Sequence, residues 1–169
     1  MKCPACGSPA FTSTRVVRAL SAKIPDILAD GLEEGACGAC GETCVTVPRA
    51  RELTDVIAAA LIAKRWRLAA GEVRFLRTAL NLRAEALAET LGVTASQLSR
   101  WESAASREGR TVRISATADR LLRLLVAQHR GLPVPDLRGI DARHDAPLAL
   151  TVRLKAAWGP VEAPAAAVA

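Results

Sequence analysis

The cysteines are the residues of this sequence whose type and spacing are best suited to chemistry. All five lie within the first 44 of 169 residues, and four of them form two Cys-x-x-Cys pairs, Cys3 with Cys6 and Cys37 with Cys40. Each pair turns two thiolates towards one point, and four thiolates complete the tetrahedral shell of Zn(II). The spacing therefore predicts one structural zinc ion with Cys3, Cys6, Cys37 and Cys40 as its ligands.

Other roles for these thiols have less support. Four thiolates leave no ligand position for water, so a catalytic zinc ion is not expected. Disulfides are typical of secreted proteins, whereas the start MKCPACGSPA has no apolar signal segment. A redox dithiol needs a strand before its first cysteine, and Cys3 leaves no room for one. The fifth thiol, Cys44, is expected to be a bystander on the strand TCVTV, the alternative being that it replaces Cys40 as a ligand.

The composition disfavours an enzyme and a membrane protein. Aromatic residues make up 3% of the chain, tyrosine is absent and two histidines occur. Side chains that commonly carry acid–base catalysis are therefore scarce. No uncharged apolar stretch of about eighteen residues occurs, so no membrane span is expected. The sequence predicts a non-enzymatic, cytoplasmic protein.

The net charge of +6 is concentrated in one part of the chain. Residues 64–130 hold thirteen Lys or Arg and six Asp or Glu, whereas residues 1–50 hold five of each kind. Such an excess is typical either of a solvated basic surface or of a surface that binds a phosphate backbone. Charge alone leaves both interpretations open.

Periodicity and turn residues divide the chain into four segments. A hairpin or a small subdomain is expected between the cysteine pairs, with FTSTRVVRAL and SAKIPDIL as its strands. Leu53, Ile57 and Leu61 then recur at the spacing of a helix that ends near Gly71. The alternating strand LALTVRLKAAW is expected to pair with the zinc module or with a second subunit. The segments are a zinc-binding module (1–48), a connecting helix (49–70), a helix-turn-helix domain (71–130) and a C-terminal extension with one strand and a flexible tail (131–169).

The stretch RAEALAETLGVTASQLSRWE has the spacing of a helix-turn-helix unit. Two crossing helices need a small residue where they touch and a residue that tolerates positive φ between them, here Ala88 and Gly92. Thr94 is expected to cap the second helix, and Gln97 three residues later to complete a capping box. The predicted fold is thus mainly α, with a small β-containing zinc-binding module.

In such a unit the second helix lies in the major groove of DNA. Leu98 and Trp101 are expected to face inward. Arg100 is expected to bind guanine or a phosphate, or else to form a salt bridge with Glu85 or Glu89. Binding of a protein by this helix is the alternative. The predicted DNA-binding residues are Arg83, Thr94, Ala95, Ser96, Gln97, Ser99, Arg100, Arg107 and Arg110.

The loop ESAASREGRTVRIS follows this helix and carries Arg107, Arg110 and Arg113. These side chains are expected to clamp the DNA backbone. Residues at helical spacing then close the bundle, with an expected apolar stripe of Ala118, Leu121, Leu122 and Leu125.

The order of the parts resembles the MqsA/YgiT-type antitoxins. The resemblance runs over roughly residues 1–128 and is carried by IPDIL, CGACGE, RFLRTALNLRAEALAETLGVTASQLSRWE and ADRLLRLL. The C-terminal part of this range alone resembles the XRE, phage-repressor-like helix-turn-helix bundle. It implies that the first domain holds structural zinc and meets a toxin, usually an mRNA-cleaving ribonuclease. It also implies that the second domain dimerises and represses its own operon. By position, it makes the four paired cysteines the zinc ligands and places Ser96 and Arg100 where the family reads bases.

Two positions depart from the pattern of these families. Many XRE domains open the first motif helix with a Ser/Thr-Gln pair, where this sequence has Arg83 and Ala84. Arg83 can still reach a phosphate as a cation, but the cap is lost. Ser96 stands where MqsA itself has asparagine, so the operator sequence need not be the same.

The sequence is interpreted as a DNA-binding transcriptional regulator, the antitoxin of a type II toxin–antitoxin pair. Its expected partners are double-stranded operator DNA, a second copy of the chain and a ribonuclease toxin, and its expected cofactor is one Zn(II) ion. The alternatives are a stand-alone zinc-containing XRE-family repressor without a toxin, and a zinc-dependent adaptor or thiol redox protein without DNA binding.

Overall fold

The computed structural model describes residues 2–21, 24–103, 112–141, 143–144 and 146–161. Within these residues the chain has five helices and one five-stranded sheet, so the fold is mixed α/β and the expectation of a mainly α chain understated the sheet. There are two compact units, a first unit of Met1–Leu53 with Leu150–Ala169 and a second unit of Thr54–Ala149. Among the helices described, none is long and apolar enough to span a bilayer.

The hairpin predicted between the cysteine pairs is the centre of the first unit. Strand β1 (Phe11–Ser21) pairs antiparallel with β2 (Ile24–Cys37), and β3 (Thr43–Thr46) pairs antiparallel with the end of β2. The register sets Phe11 opposite Cys37. Because β1 begins just after the first cysteine pair and β2 ends at the second, forming the hairpin brings both pairs to one end of the sheet.

Two further strands of this sheet come from the C-terminal extension. Strand β4 (Leu150–Leu154) runs parallel to β2, and β5 (Trp158–Pro160) pairs antiparallel with β4. The alternating sequence predicts β4, and its partner is the zinc module, one of the two expected. Strand β5 was not predicted, because three residues that include glycine and proline carry no alternation.

Trp158 fixes the added strands in the first unit. Its side chain is buried, and its indole N–H donates to the carbonyl oxygen of Pro48 at 2.8 Å. Its backbone N–H donates to Glu52 Oε1 at 2.8 Å. A buried indole needs a partner for its N–H, so this pairing makes β4 and β5 an integral part of the unit.

Helix α1 (Ala50–Ala63) ends before the predicted end near Gly71. The alanine-rich sequence would allow the helix to continue, but a tertiary contact overrides this preference. The guanidinium group of Arg123 binds three main-chain carbonyl oxygens at and beyond the helix end, those of Ile62, Lys64 and Trp66. Residues 64–69 therefore form a non-helical connector.

The second unit contains four further helices. Within it, α3 packs on α4 and α2 packs on α5. Each helix buries apolar side chains, among them Leu76, Leu87, Leu98 and Leu122, which are completely buried. The helices are α2 (Ala70–Ala79), α3 (Ala84–Thr90), α4 (Ala95–Trp101) and α5 (Ala116–Arg130).

The predicted apolar stripe of α5 is wrong in part. Ala118 and Leu122 are buried as expected, but Leu121 and Leu125 are only half-buried. Asp119 and Arg123 are buried instead, at 1% and 0% exposure, and they form an ion pair with each other. A pattern of apolar residues cannot reveal such a face, because it assigns charged side chains to the solvent.

A second buried ion pair joins the connector to α2. Lys64 pairs with Glu72, and burial lowers the pKa of Lys64 although the adjacent carboxylate opposes this shift. Glu72 also accepts hydrogen bonds from the backbone N–H groups of Ala69 and Leu148, each at 2.7 Å. A buried charge is tolerated only when it is paired and hydrogen-bonded, and Glu72 meets both conditions.

Candidate metal centre and nucleic-acid surface

The two cysteine pairs have the same local fold. In the first pair, Cys3 N–H donates to the carbonyl oxygen of Ser8 and Gly7 N–H donates to that of Cys3, both at 2.9 Å. In the second pair, Cys37 N–H donates to Glu42 and Gly41 N–H donates to Cys37, again at 2.9 Å. The repeated pattern turns each loop back on itself, so that both thiols of a pair face the same side.

The four sulfur atoms are spaced as ligands of one metal ion. Cys3 Sγ lies 3.7 Å from Cys40 Sγ, Cys6 Sγ lies 3.7 Å from Cys37 Sγ, and all four lie within 4.8 Å of one another. A metal–sulfur distance of about 2.3 Å in a regular tetrahedron separates neighbouring sulfurs by about 3.8 Å. A disulfide would require about 2.05 Å. The geometry suits a single metal ion, and a set of four thiolates favours zinc.

One side of this cluster is covered and the other is open. Cys3 and Cys37 are buried with Phe11, whereas Cys6 and Cys40 are exposed. Gly35 allows Phe11 to pack here, because a Cβ atom on residue 35 would lie 2.1 Å from the Phe11 ring. Cys44 packs against the buried side but lies outside the four-sulfur group. Its expected role as a bystander fits this position.

The thiols of the second pair differ in acidity. The backbone N–H groups of Cys40 and Ala39 lower the pKa of Cys37 to about 6. The backbone N–H of Glu42 lowers the pKa of Cys40 as well. The neighbouring sulfurs, Cys6 foremost, outweigh this effect and raise the pKa of Cys40 to about 12. Four thiolates this close together repel one another, and a divalent cation offsets that repulsion.

The bend between α3 and α4 is formed as the sequence predicts. Gly92 has φ +67°, with no atom within 4 Å of the place a Cβ would take, so the backbone conformation alone requires glycine. Val93 N–H donates to the carbonyl of Ala88 at 2.9 Å and Gly92 N–H donates to that of Glu89 at 3.0 Å. These two bonds form a Schellman motif that ends α3.

Helix α4 presents its predicted polar residues to solvent. Thr94 Oγ1 accepts a hydrogen bond from Gln97 N–H at 3.1 Å, whereas the reciprocal side-chain bond of a full capping box is not formed within the described chain. Leu98 and Trp101 are buried, as expected. The residues that lie exposed are Thr94, Ala95, Ser96, Gln97, Ser99 and Arg100, together with Arg83 just before α3.

The two remaining predictions for this surface concern arginines. Arg100 forms no ion pair with Glu85 or Glu89 in the part of the chain that the structure describes, so the salt-bridge interpretation is not supported. Arg107 and Arg110 lie outside the described residues.

Sequence reasoning missed the ion pair that anchors the end of α4. Arg77 on α2 binds Glu102 through two parallel contacts, Nε to Oε1 at 2.6 Å and Nη2 to Oε2 at 2.9 Å. Its Nη1 donates to the carbonyl of Leu82 at 3.0 Å, and hydrogen bonding to Glu102 raises the pKa of Arg77. The partners lie 25 residues apart, and pairs at such separation leave no periodic signal in the sequence.

Comparison with known proteins gives one family. Residues 1–132 match the sequence model for MqsA, which is described as the antitoxin component of a bacterial toxin–antitoxin system. No curated protein and no solved structure matches the chain. The matched range includes the four-sulfur cluster and all of α1 to α5, and it ends before β4 and β5.

Proposed function

The chain belongs to the MqsA family of antitoxins, which are not enzymes, and on that premise we propose that it is a zinc-stabilised antitoxin that represses its own operon. The first unit holds one structural Zn(II) ion through Cys3, Cys6, Cys37 and Cys40. In the second unit, α3, Gly92 and α4 act as an XRE-type helix-turn-helix that reads operator DNA. Membership of the family also implies a toxin as protein partner.

The exposed face of α4 carries the proposal for DNA binding. Thr94, Ser96 and Gln97 offer hydrogen-bonding groups at the start of the helix, the part that meets base edges in a helix-turn-helix complex. Arg100 lies exposed one turn later, with five N–H donors and no carboxylate paired to it among the described residues. An arginine in this state can bind guanine O6 and N7 in a bidentate contact.

We expect Arg100→Ala to weaken binding to a duplex from the chain's own promoter by about 5- to 150-fold, since a bidentate arginine–guanine pair is worth about 1–3 kcal/mol. The loss should be smaller on an unrelated duplex of equal length. Fluorescence anisotropy titrations of the full-length chain at fixed salt measure both. Promoter binding unchanged by Arg100→Ala would exclude base reading by Arg100.

Two further variants make this experiment specific. Arg100→Lys keeps the charge but loses the planar fork. It should weaken promoter binding, although by less than Arg100→Ala, if Arg100 reads guanine through that fork, and it should behave like the unmodified chain if Arg100 contacts a phosphate. Lys155→Ala removes one exposed positive charge in the first unit and should leave promoter binding unchanged.

Repression by occlusion of a promoter fits a symmetric dimer. The resemblance to XRE-type repressors implies a homodimer whose two recognition helices meet successive major grooves on one face of the duplex. Half-sites would then be about 34–36 Å apart, one helical turn of DNA. The operator is accordingly expected to be an inverted repeat.

The toxin is proposed to be an mRNA-cleaving ribonuclease, as the resemblance implies. We expect the gene that adjoins this one to encode a small ribonuclease that arrests growth when expressed alone. The two proteins should copurify, and co-expression of the full-length chain should restore growth. A neighbouring gene product that neither arrests growth nor copurifies would instead support a repressor that acts without a toxin.

A further inference from the structure

The segment that follows the family match is fastened to the connector by main-chain hydrogen bonds. Asp141 N–H donates to the carbonyl of Arg65 at 2.8 Å, and Arg67 N–H donates to that of His144 at 2.9 Å. Between them, Trp66 forms a parallel β-bridge with Asp141 and its indole N–H donates to the carbonyl of Ala146 at 2.6 Å. All of these residues belong to the second unit, where the segment therefore has a defined position.

This arrangement brings arginines from three parts of the chain together. Arg65 comes from the connector, Arg138 and Arg143 come from the extension, and Arg113 lies just before α5; all four are exposed. The Arg113 guanidinium donates to the carbonyl of Arg143 at 3.3 Å. A Cβ atom on Gly139 would lie 2.8 Å from Arg65 Nη2, so Arg65 extends across the turn that follows Arg138.

Two aspartates of the segment are occupied in holding these turns. Asp136 Oδ1 accepts from the backbone N–H of Arg138 at 3.0 Å, and Asp141 Oδ1 accepts from that of Arg143 at 2.8 Å. Within the described residues neither carboxylate forms a salt bridge with an arginine side chain of the group. As far as the described residues go, the side chains of Arg138 and Arg143 are left for solvent or for a ligand.

The sequence position of Arg113 relates this group to the expected DNA contacts. Arg113 is the last of the three arginines after α4, with Arg107 and Arg110, that are expected to contact the DNA backbone. We propose that Arg65, Arg138 and Arg143 bind the phosphate backbone of duplex DNA that flanks the bases met by α4. This inference rests on the proposed DNA binding and adds to it a contact surface that lies partly outside the matched range 1–132.

The test compares binding and its salt dependence for variants of the full-length chain. The double variant Arg138→Ala/Arg143→Ala should weaken binding to the promoter duplex and to an unrelated duplex by the same factor. The slope of log K against log salt should become less steep by about 2, because each lost phosphate contact removes about 0.9 from it. Arg138→Lys/Arg143→Lys should retain the slope, since a phosphate contact needs charge rather than a planar fork. Lys155→Ala, which removes an exposed charge elsewhere in the extension, should also retain it.

The outcomes separate this inference from the function on which it rests. If the unmodified chain binds the promoter and Arg100→Ala weakens it, but the double alanine variant keeps both affinity and slope, the phosphate surface is refuted and the function stands. If the unmodified chain binds no duplex at low salt, both are refuted. Both arginines are exposed, so circular dichroism should show an unchanged fold for the double variant. A loss confined to the promoter duplex would contradict a phosphate contact.

Discussion

Removal of the metal is expected to unfold the first unit of the protein. A structural zinc ion in a four-cysteine site contributes about 10–16 kcal/mol of apparent binding free energy, whereas a whole domain is stable by only about 5–15 kcal/mol. Cys3 and Cys37 belong to the buried cluster with Phe11, so loss of the ion leaves unpaired thiols in that core. We therefore expect Cys37→Ser, or a strong chelator, to abolish the folded sheet.

Tryptophan emission can report this loss for the first unit, because Trp158 is the only one of the three tryptophans that lies there. Its buried indole should become exposed and shift to longer wavelength when the metal is removed, and the purified chain should contain one zinc per chain by elemental analysis. Cys44→Ser is the matched control, since Cys44 packs against the cluster but lies outside the four-sulfur group. A chain that keeps its Trp158 emission after complete loss of metal would refute a structural role for zinc.

The grouping of the four thiols could be predicted because its determinants are local. A Cys-x-x-Cys turn directs two thiols to one side whatever the rest of the fold. The hairpin between the pairs then has only to bring the chain back, so that the second pair lies beside the first. The bend at Gly92 is local in the same sense, since one glycine and the cap at Thr94 specify it. Both features are present in the structure, while the DNA contacts of α4 stay predictions.

The features that could not be predicted depend on contacts between distant residues. The early end of α1 depends on Arg123, which lies 61 residues beyond Ile62. The parallel pairing of β4 with β2 joins Leu150 to Ile27, and an alternating strand gives no indication of its partner. The ion pair between Arg77 and Glu102 likewise joins residues that lie 25 positions apart in the sequence. Periodicity shows which side of an element faces inward, but it contains no information about charged pairs buried there.

Loss of the buried carboxylate at Asp119 is expected to give the second-largest effect. Asp119 Oδ2 accepts from Arg123 Nε at 2.7 Å, and its Oδ1 accepts from the backbone N–H of Leu68 at 2.8 Å. Asp119→Ala leaves the completely buried Arg123 without a counter-charge and the Leu68 N–H without a partner. Breaking a buried pair from one side costs about 3–5 kcal/mol, so the free energy of unfolding should fall by about that amount in urea titrations followed by circular dichroism.

Asp55→Ala is the comparison that assigns this loss to burial rather than to the removal of any carboxylate. Asp55 also pairs with an arginine of α5, Arg130, but the Asp55 side chain is 32% exposed. Ion pairs that are accessible to solvent contribute about 0–1 kcal/mol to the free energy of unfolding. If Asp119→Ala cost no more than Asp55→Ala, the unpaired charge of Arg123 would not be the source of the loss. The structure predicts a clearly larger loss for Asp119→Ala, since of the two pairs compared only Asp119–Arg123 is sealed from water on both sides.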